Sequence, residues 1–139
     1  MKFLILVKST PEAETGAPPS AELISEMMKY NEELSKAGVL LDLGGLQPSS
    51  KSARVRFEGK NRTVIDGPFT ESKELVAGYW LIQVKSREEA IEWVKRVPNP
   101  TGDTGEIEIR PLFEMEDFPH AAAETVERAA KIDQQLKRS

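Results

Sequence analysis

The chain contains no cysteine and one histidine among its 139 residues. The first absence excludes a disulfide framework, thiolate metal sites and a cysteine nucleophile. It also fits a reducing compartment, so a cytoplasmic protein is expected. The lone histidine, His120, sits between Pro119 and three alanines. One imidazole makes no metal site, and this position reads as a solvated tail. Long apolar runs are missing as well. Phe3–Val7, the longest near the N-terminus, is too short for a signal-peptide core or a bilayer span. There is no basic excess: 19 Lys and Arg stand against 23 Asp and Glu, a net charge of −4. A nucleic-acid surface needs clustered cations to replace counterions, so that class of partner is not expected. No phosphate-binding glycine loop, metal-ligand cluster or Ser/His/Asp set stands in a persuasive context, and no cofactor is expected.

What is present is the patterning of one globular domain, large enough to bury a core without staples. Lys2–Ser9 is apolar on both alternating faces through Phe3–Val7, the pattern of a central strand covered on two sides. Thr10–Pro19, with three prolines and Gly16, reads as a loop. Leu23, Met27, Tyr30, Leu34 and Ala37 recur at spacings of four and three, which predicts an amphipathic helix laid on a sheet. Ser20 or Pro19 begins it and Gly38 ends it. Val39–Leu46 predicts a second strand, with a bulge or close approach at Gly44-Gly45. Ala53–Phe57 and Arg62–Ile65, around Glu58-Gly59-Lys60-Asn61, predict a hairpin. Val76–Val84 predicts a further central strand. Ser86-Arg87-Glu88-Glu89 has the form of a capping box opening a helix that Pro98 and Pro100 close. Glu106–Leu112 begins with strict alternation, a strand with one wet side. Ala121–Arg138 predicts a C-terminal helix with a thin stripe of Val126, Ala129, Ile132 and Leu136.

Strands interleaved with helices that are apolar on one face predict an α+β fold, and the ferredoxin-like sandwich fits best: an antiparallel sheet with helices on one face. The other face of that sheet is then uncovered, and a second copy of the chain is its simplest cover. A homodimer, a dimeric α+β barrel, is the expected assembly.

The segment Asp66–Pro98 carries the most specific pattern. Asp66-Gly67-Pro68-Phe69, then Glu71, Lys73-Glu74, Gly78, the helix Glu89-Ala90-Ile91-Glu92-Trp93, Pro98 and the closing Glu108-Ile109-Arg110-Pro111 resemble the DGPF-domain family, relatives of the YCII group. The resemblance covers residues 1–113. It implies a ferredoxin-like subunit that dimerises through its sheets, and it brings no established reaction. Some members look linked to alternative sigma factors, and related groups are proposed to be enzymes. On this basis residues 1–118 are expected to form the DGPF/YCII-related domain and 119–139 a helical extension. YCII relatives carry a histidine on the first helix, paired with an aspartate, as a candidate dyad. The matching position here falls near Met27 or Met28, neither of which moves a proton.

The candidate site residues follow from the same segment. Asp66 is the candidate catalytic carboxylate at the rim of a cleft, since carboxylate proton transfer is the only general acid–base chemistry the sequence readily offers. Its alternative role is an Asx-turn, with Gly67 and Pro68 shaping the chain and Phe69 anchored in the core. Glu71 and Lys73 are candidate substrate contacts on a charged lip, or a solvated turn with weak ion pairs. Arg54, Arg56 and Arg110 lie on predicted strands, where they point to water or pair with a neighbouring Glu, or, if one faces inward, bind an anion. Arg110 has the stronger claim through its matched segment, with a structural pairing to Asp66 or Glu71 as its alternative. Asp42, inside an apolar strand, is read as exposed. Two functions stay open: a small-molecule binder or enzyme with a carboxylate-based site near the Asp-Gly-Pro-Phe loop, and a non-catalytic interaction or regulatory module acting through its dimer and C-terminal helix.

Overall fold

The computed structural model describes residues 1–71 and 74–138. Among the described residues there are six strands and four α-helices, and all but the short first helix follow the expected order. Strand β1 (Lys2–Lys8) leads through a short helix α1 (Pro11–Glu14) to α2 (Ala21–Lys36) and β2 (Leu40–Gly45). A 3-10 turn at Ser49–Lys51 precedes the hairpin β3 (Ala53–Glu58) and β4 (Asn61–Asp66). Then come β5 (Val76–Gln83), α3 (Arg87–Lys95), β6 (Ile107–Pro111) and α4 (Ala123–Arg138).

Four strands form one sheet in the order β2-β5-β1-β6, and every neighbouring pair is antiparallel. This is the ferredoxin-like arrangement of two interleaved β-α-β units. The hairpin β3–β4 forms a separate two-stranded sheet inserted between β2 and β5. The register puts Phe3 opposite Ile82 and Ile5 opposite Trp80. These four side chains share one face and pack with Tyr30 and Leu34 of α2 and Ala90 of α3 into the buried core. Phe3, Leu34 and Ile82 are the largest side chains with no appreciable exposure. The Tyr30 ring meets Trp80 edge-on at 5.4 Å. The polar tips of both rings are satisfied within the core wall: the Tyr30 hydroxyl donates to the Trp93 carbonyl at 2.7 Å, and the Trp80 indole N–H donates to Asn31 Oδ1 at 2.7 Å.

The opposite face alternates with the core. Leu4 lies opposite Leu81 and Arg110, and Leu6 opposite Tyr79 and Glu108. Leu4, Leu6, Tyr79 and Leu81 are half-buried. A ridge of charge flanks this face: Glu108 meets Lys8 at 3.6 Å and Arg110 at 3.3 Å.

Local signals account for the helix ends. Ser20 Oγ accepts from the Leu23 amide at 3.1 Å, and Gly38 takes φ +73°, the left-handed closure read from its place after the stripe. Three local expectations need correction. Thr10–Pro19 is not all loop: Thr10 caps Pro11–Glu14, with its Oγ1 accepting from Ala13 N at 3.1 Å. Pro11 is an N1 proline, which starts a helix rather than breaking one. The irregularity in β2 falls between Leu40 and Asp42 rather than at the glycine pair. The expected alternative, a close backbone approach, is met at Gly44, whose carbonyl oxygen would lie 3.1 Å from a Cβ on Gly78, and a Cβ on Gly44 would lie 2.9 Å from the Tyr79 ring. At Ser86 the hydroxyl accepts from Glu89 N as expected, but the Glu89 carboxylate reaches Lys85 N at 2.8 Å.

Candidate functional site

The Asp-Gly-Pro-Phe segment leaves the end of β4 and runs to the start of β5. Its backbone lies on the Ser49–Lys51 turn. Gly67 N–H donates to the Ser52 carbonyl at 2.9 Å, and Phe69 N–H donates to Ser49 Oγ at 2.9 Å. A Cβ on Gly67 would fall 1.7 Å from the Ser49 carbonyl oxygen. Only glycine permits this approach of two backbones. The Gly67-Pro68 peptide is cis.

Ser49 is the hub of this corner and the one polar residue fully buried among those described. Its hydroxyl donates to Glu14 Oε1 and its backbone N–H donates to Glu14 Oε2 at 2.9 Å. Three segments far apart in sequence, α1, the 49–51 turn and the Asp-Gly-Pro-Phe loop, are therefore tied at one hydroxyl. Neither Ser49 nor Glu14 stands out in the sequence. Glu14 lies in a proline-rich stretch, and Ser49 is one of a Ser-Ser pair. The signal that would have found Glu14 is its place in the first turn after a Thr-Pro helix start.

Above this knot lies a cleft of about 550 Å3, lined by Glu14, Leu46, Ser49, Lys51, Arg54, Phe69 and Val76 among others. The Arg54 guanidinium stacks on the Phe69 ring, 3.7 Å from its centroid. Phe69 is half-buried under that guanidinium and is not part of the core cluster, so the anchoring expected of it is made to the cleft wall. A second, more apolar groove of about 340 Å3 adjoins it, between α2 and the β2–β5 ladder. Leu46 lines the first cleft and Ala77 the second, and Leu46 N–H bonds the Ala77 carbonyl at 2.8 Å. Met27 and Met28 line the groove, and so does Asn31. The helix position that bears histidine in YCII relatives thus presents thioethers to an apolar wall here.

The residues singled out from sequence do not converge. Asp66 ends β4 opposite Ala53, is exposed, and makes no side-chain hydrogen bond among the described residues. The Asx-turn is absent: the residue two on from Asp66 is Pro68, which has no N–H to donate, and the next donor, Phe69 N–H, is taken by Ser49 Oγ. Glu71 is exposed, and its carbonyl accepts from Glu74 N at 3.0 Å. Lys73 lies outside the described residues. Arg110 is on the far edge strand, where its ion-pair partner is Glu108 rather than Asp66 or Glu71. That guanidinium, with Lys8, holds the Glu108 carboxyl below its ordinary range. Arg110 lines a different concavity, with Lys2, Phe113 and Glu114. Asp42 is exposed as expected and accepts from the Tyr79 hydroxyl at 3.3 Å, and its negative charge pushes the Tyr79 phenol up. His120 is exposed. No group of three or more metal-ligating side chains occurs among the described residues, and no helix among them is long and apolar enough to cross a membrane.

Comparison with known proteins adds three findings. The family model described as YCII-related domain matches residues 1–116. An uncharacterized protein of Rhizobium meliloti (strain 1021) is 35% identical over 91 residues, 66% of this chain and 70% of that protein. The solved structure of 5-chloro-2-hydroxyhydroquinone dehydrochlorinase (TftG) from Burkholderia phenoliruptrix AC1100, in complex with 2,5-dihydroxybenzoquinone, aligns with 84% of this chain and 98% of that one, at 17% identity and a TM-score of 0.44.

Proposed function

Because the chain belongs to the YCII-related domain family, a description that names no reaction, we propose from its own geometry that it binds a small molecule in the cleft beside the Asp-Gly-Pro-Phe loop. The observation that carries this reading is the construction of that cleft. A buried serine, a carboxylate and a glycine that tolerates no side chain fix its floor, and apolar and cationic side chains share its wall. Concave sites with an apolar lining and a few fixed polar groups are the ordinary form of ligand sites. The rigid floor limits the ordering cost of binding.

Carboxylate chemistry at this site is the catalytic part of the proposal. Asp66 pairs across the hairpin with Ala53, which lines the cleft, while Asp66 is outside that lining. Glu71 belongs to the loop that follows, and Lys73 and Arg110 complete the set proposed from sequence. Asp66→Asn with preserved folding is the test: turnover of an identified substrate lost in the variant supports the role, and unchanged turnover removes it.

The assembly proposed is a homodimer formed across the open sheet face. Leu4, Leu6, Tyr79 and Leu81 lie on the face opposite the core that α2 and α3 cover, and a second copy would cover them. Residues 1–118 would form the dimerising domain and 119–139 the extension. A cytoplasmic location belongs to the same proposal, and the cysteine-free composition is compatible with it. Native mass spectrometry of freshly purified protein tests both parts. A dimer carrying a reproducible small mass, released on denaturation, supports them, whereas a monomer contradicts the shared sheet.

One observation favours the second reading, a non-catalytic interaction module. Helix α4 keeps Val126 and Ile132 exposed on one stripe. If α4 clamps a neighbouring subunit, deleting residues 121–139 lowers the assembly state or the stability. A truncated protein unchanged in both removes that role.

A further inference from the structure

The cleft beside the Asp-Gly-Pro-Phe loop is cationic in a protein whose net charge is −4. Its one lining carboxylate, Glu14, spends both oxygens on the Ser49 hydroxyl and N–H. Arg54 and Lys51 line the same cleft and have no ion pair among the described residues. Other arginines are committed elsewhere: Arg56 meets Glu58 at 3.9 Å, Arg110 meets Glu108 and Arg128 meets Glu124 at 2.6 Å, while Arg62 bonds the Gly59 and Asn61 carbonyls. The Arg54 guanidinium makes no hydrogen bond to the described residues, yet it is held over the Phe69 ring, its Cζ 3.7 Å from the centroid. Stacking leaves the edge of a guanidinium, where its N–H donors lie, available to a ligand. Beside that edge the wall is apolar, formed by Leu46, Leu75 and Val76.

We propose that this cleft takes a small organic acid, with its carboxylate on Arg54 and its apolar body against Leu46, Leu75 and Val76. The inference rests on the reading of the same cleft as a ligand site, and it names the class of ligand. A guanidinium edge matches the two oxygens of a carboxylate and forms paired charge-assisted hydrogen bonds. The apolar wall separates an organic acid from an inorganic anion, since phosphate would leave that wall wet. Lys51 adds a second positive charge without demanding a fixed geometry.

The test is titration of the isotope-labelled full chain with three probes, benzoate, neutral benzamide and inorganic phosphate, read by amide shifts. Benzoate is expected to move the amides of Ser49, Arg54 and Phe69 and to bind at least about tenfold more tightly than either other probe, the factor one charge-assisted hydrogen bond supplies. Arg54→Gln should remove that advantage and leave benzamide unaffected, and Arg54→Lys should keep part of it. Arg54 is exposed on a hairpin, so the fold is expected to tolerate both changes, and the unperturbed spectrum of the core amides checks this. Equal binding of benzoate and benzamide, or full benzoate affinity in Arg54→Gln, overturns the acid class and leaves the cleft standing. Phosphate binding as tightly as benzoate overturns the organic part. No shift at those amides with any probe overturns this inference and the ligand-site reading together.

Discussion

Replacing Gly67 by alanine tests the architecture of the site through one added methyl group. The new Cβ would stand 1.7 Å from the Ser49 carbonyl oxygen and 2.7 Å from its carbon, where real contacts do not fall below 3.0 Å. Both obstructing atoms are backbone, and the turn that carries them is pinned by Glu14 through the Ser49 N–H. No rotamer change relieves the overlap, so the loop must retreat by about an ångström, and overpacking of this kind costs roughly 1–3 kcal/mol. That retreat stretches the Gly67–Ser52 and Phe69–Ser49 hydrogen bonds, both 2.9 Å, beyond useful length. Each is worth about 1 kcal/mol net, so with the overpacking the total loss expected is roughly 3–5 kcal/mol. Urea unfolding at equilibrium reads this as a lower midpoint at unchanged slope. A parallel titration with the cleft's ligand should show weaker binding, because Phe69 carries the Arg54 stack. If Gly67→Ala unfolds at the wild-type midpoint and binds as wild type does, the close approach does not hold the loop and the reasoning fails.

The remaining predictions use other parts of the molecule. Ser49→Ala leaves a Glu14 oxygen and the Phe69 N–H without their partner, and about 1–3 kcal/mol should be lost in the same urea assay. Leu34→Ala opens a cavity beneath α2, where the side chain is 1% exposed, and should cost about 2–5 kcal/mol by thermal or urea unfolding. Both tyrosines should ionise above the ordinary value of 10.0: burial pushes Tyr30 up to about 12, and the Asp42 carboxylate raises Tyr79. The folded state therefore holds these protons longer than the unfolded chain, so their contribution is fully present below pH 10.0 and is lost as pH rises towards about 12. Ultraviolet titration of native and denatured protein checks the shifts, and two native phenols ionising with the denatured ones would contradict them. Asp42→Asn should lower the Tyr79 midpoint and leave Tyr30 in place.

The fold was legible because its signals are local and redundant. The spacing of Leu23, Met27, Tyr30 and Leu34 can face only one side of a helix, and the apolar run of β1 suits only a central strand. The hairpin around Gly59 was marked by its turn residues, and Gly59 indeed takes φ +59°. The site was less legible because long-range contacts build it. Glu14 and Ser49 are 35 positions apart, and nothing in either neighbourhood points to the other. The sequence led to Asp66, the most conspicuous residue of its motif, whereas in the structure Gly67 and Phe69 hold the loop to the turn. Arg110 drew notice by its place in a matched segment, but strand order puts it on the far edge from β2. Arg54 and Arg56 are candidate anion binders on equal terms in the sequence, and only the ring that folds beneath Arg54 separates them.

The central claim is that the Asp-Gly-Pro-Phe corner builds a ligand cleft on a ferredoxin-like subunit. The most direct measurement is an unbiased fragment screen on the labelled full chain, with perturbed amides mapped onto the structure. The account predicts that hits cluster at Ser49, Ala53, Arg54, Phe69 and Val76, and that Gly67→Ala disperses them. Hits concentrated instead along the Met27–Asn31 groove or around Arg110, or indifferent to Gly67→Ala, would contradict it.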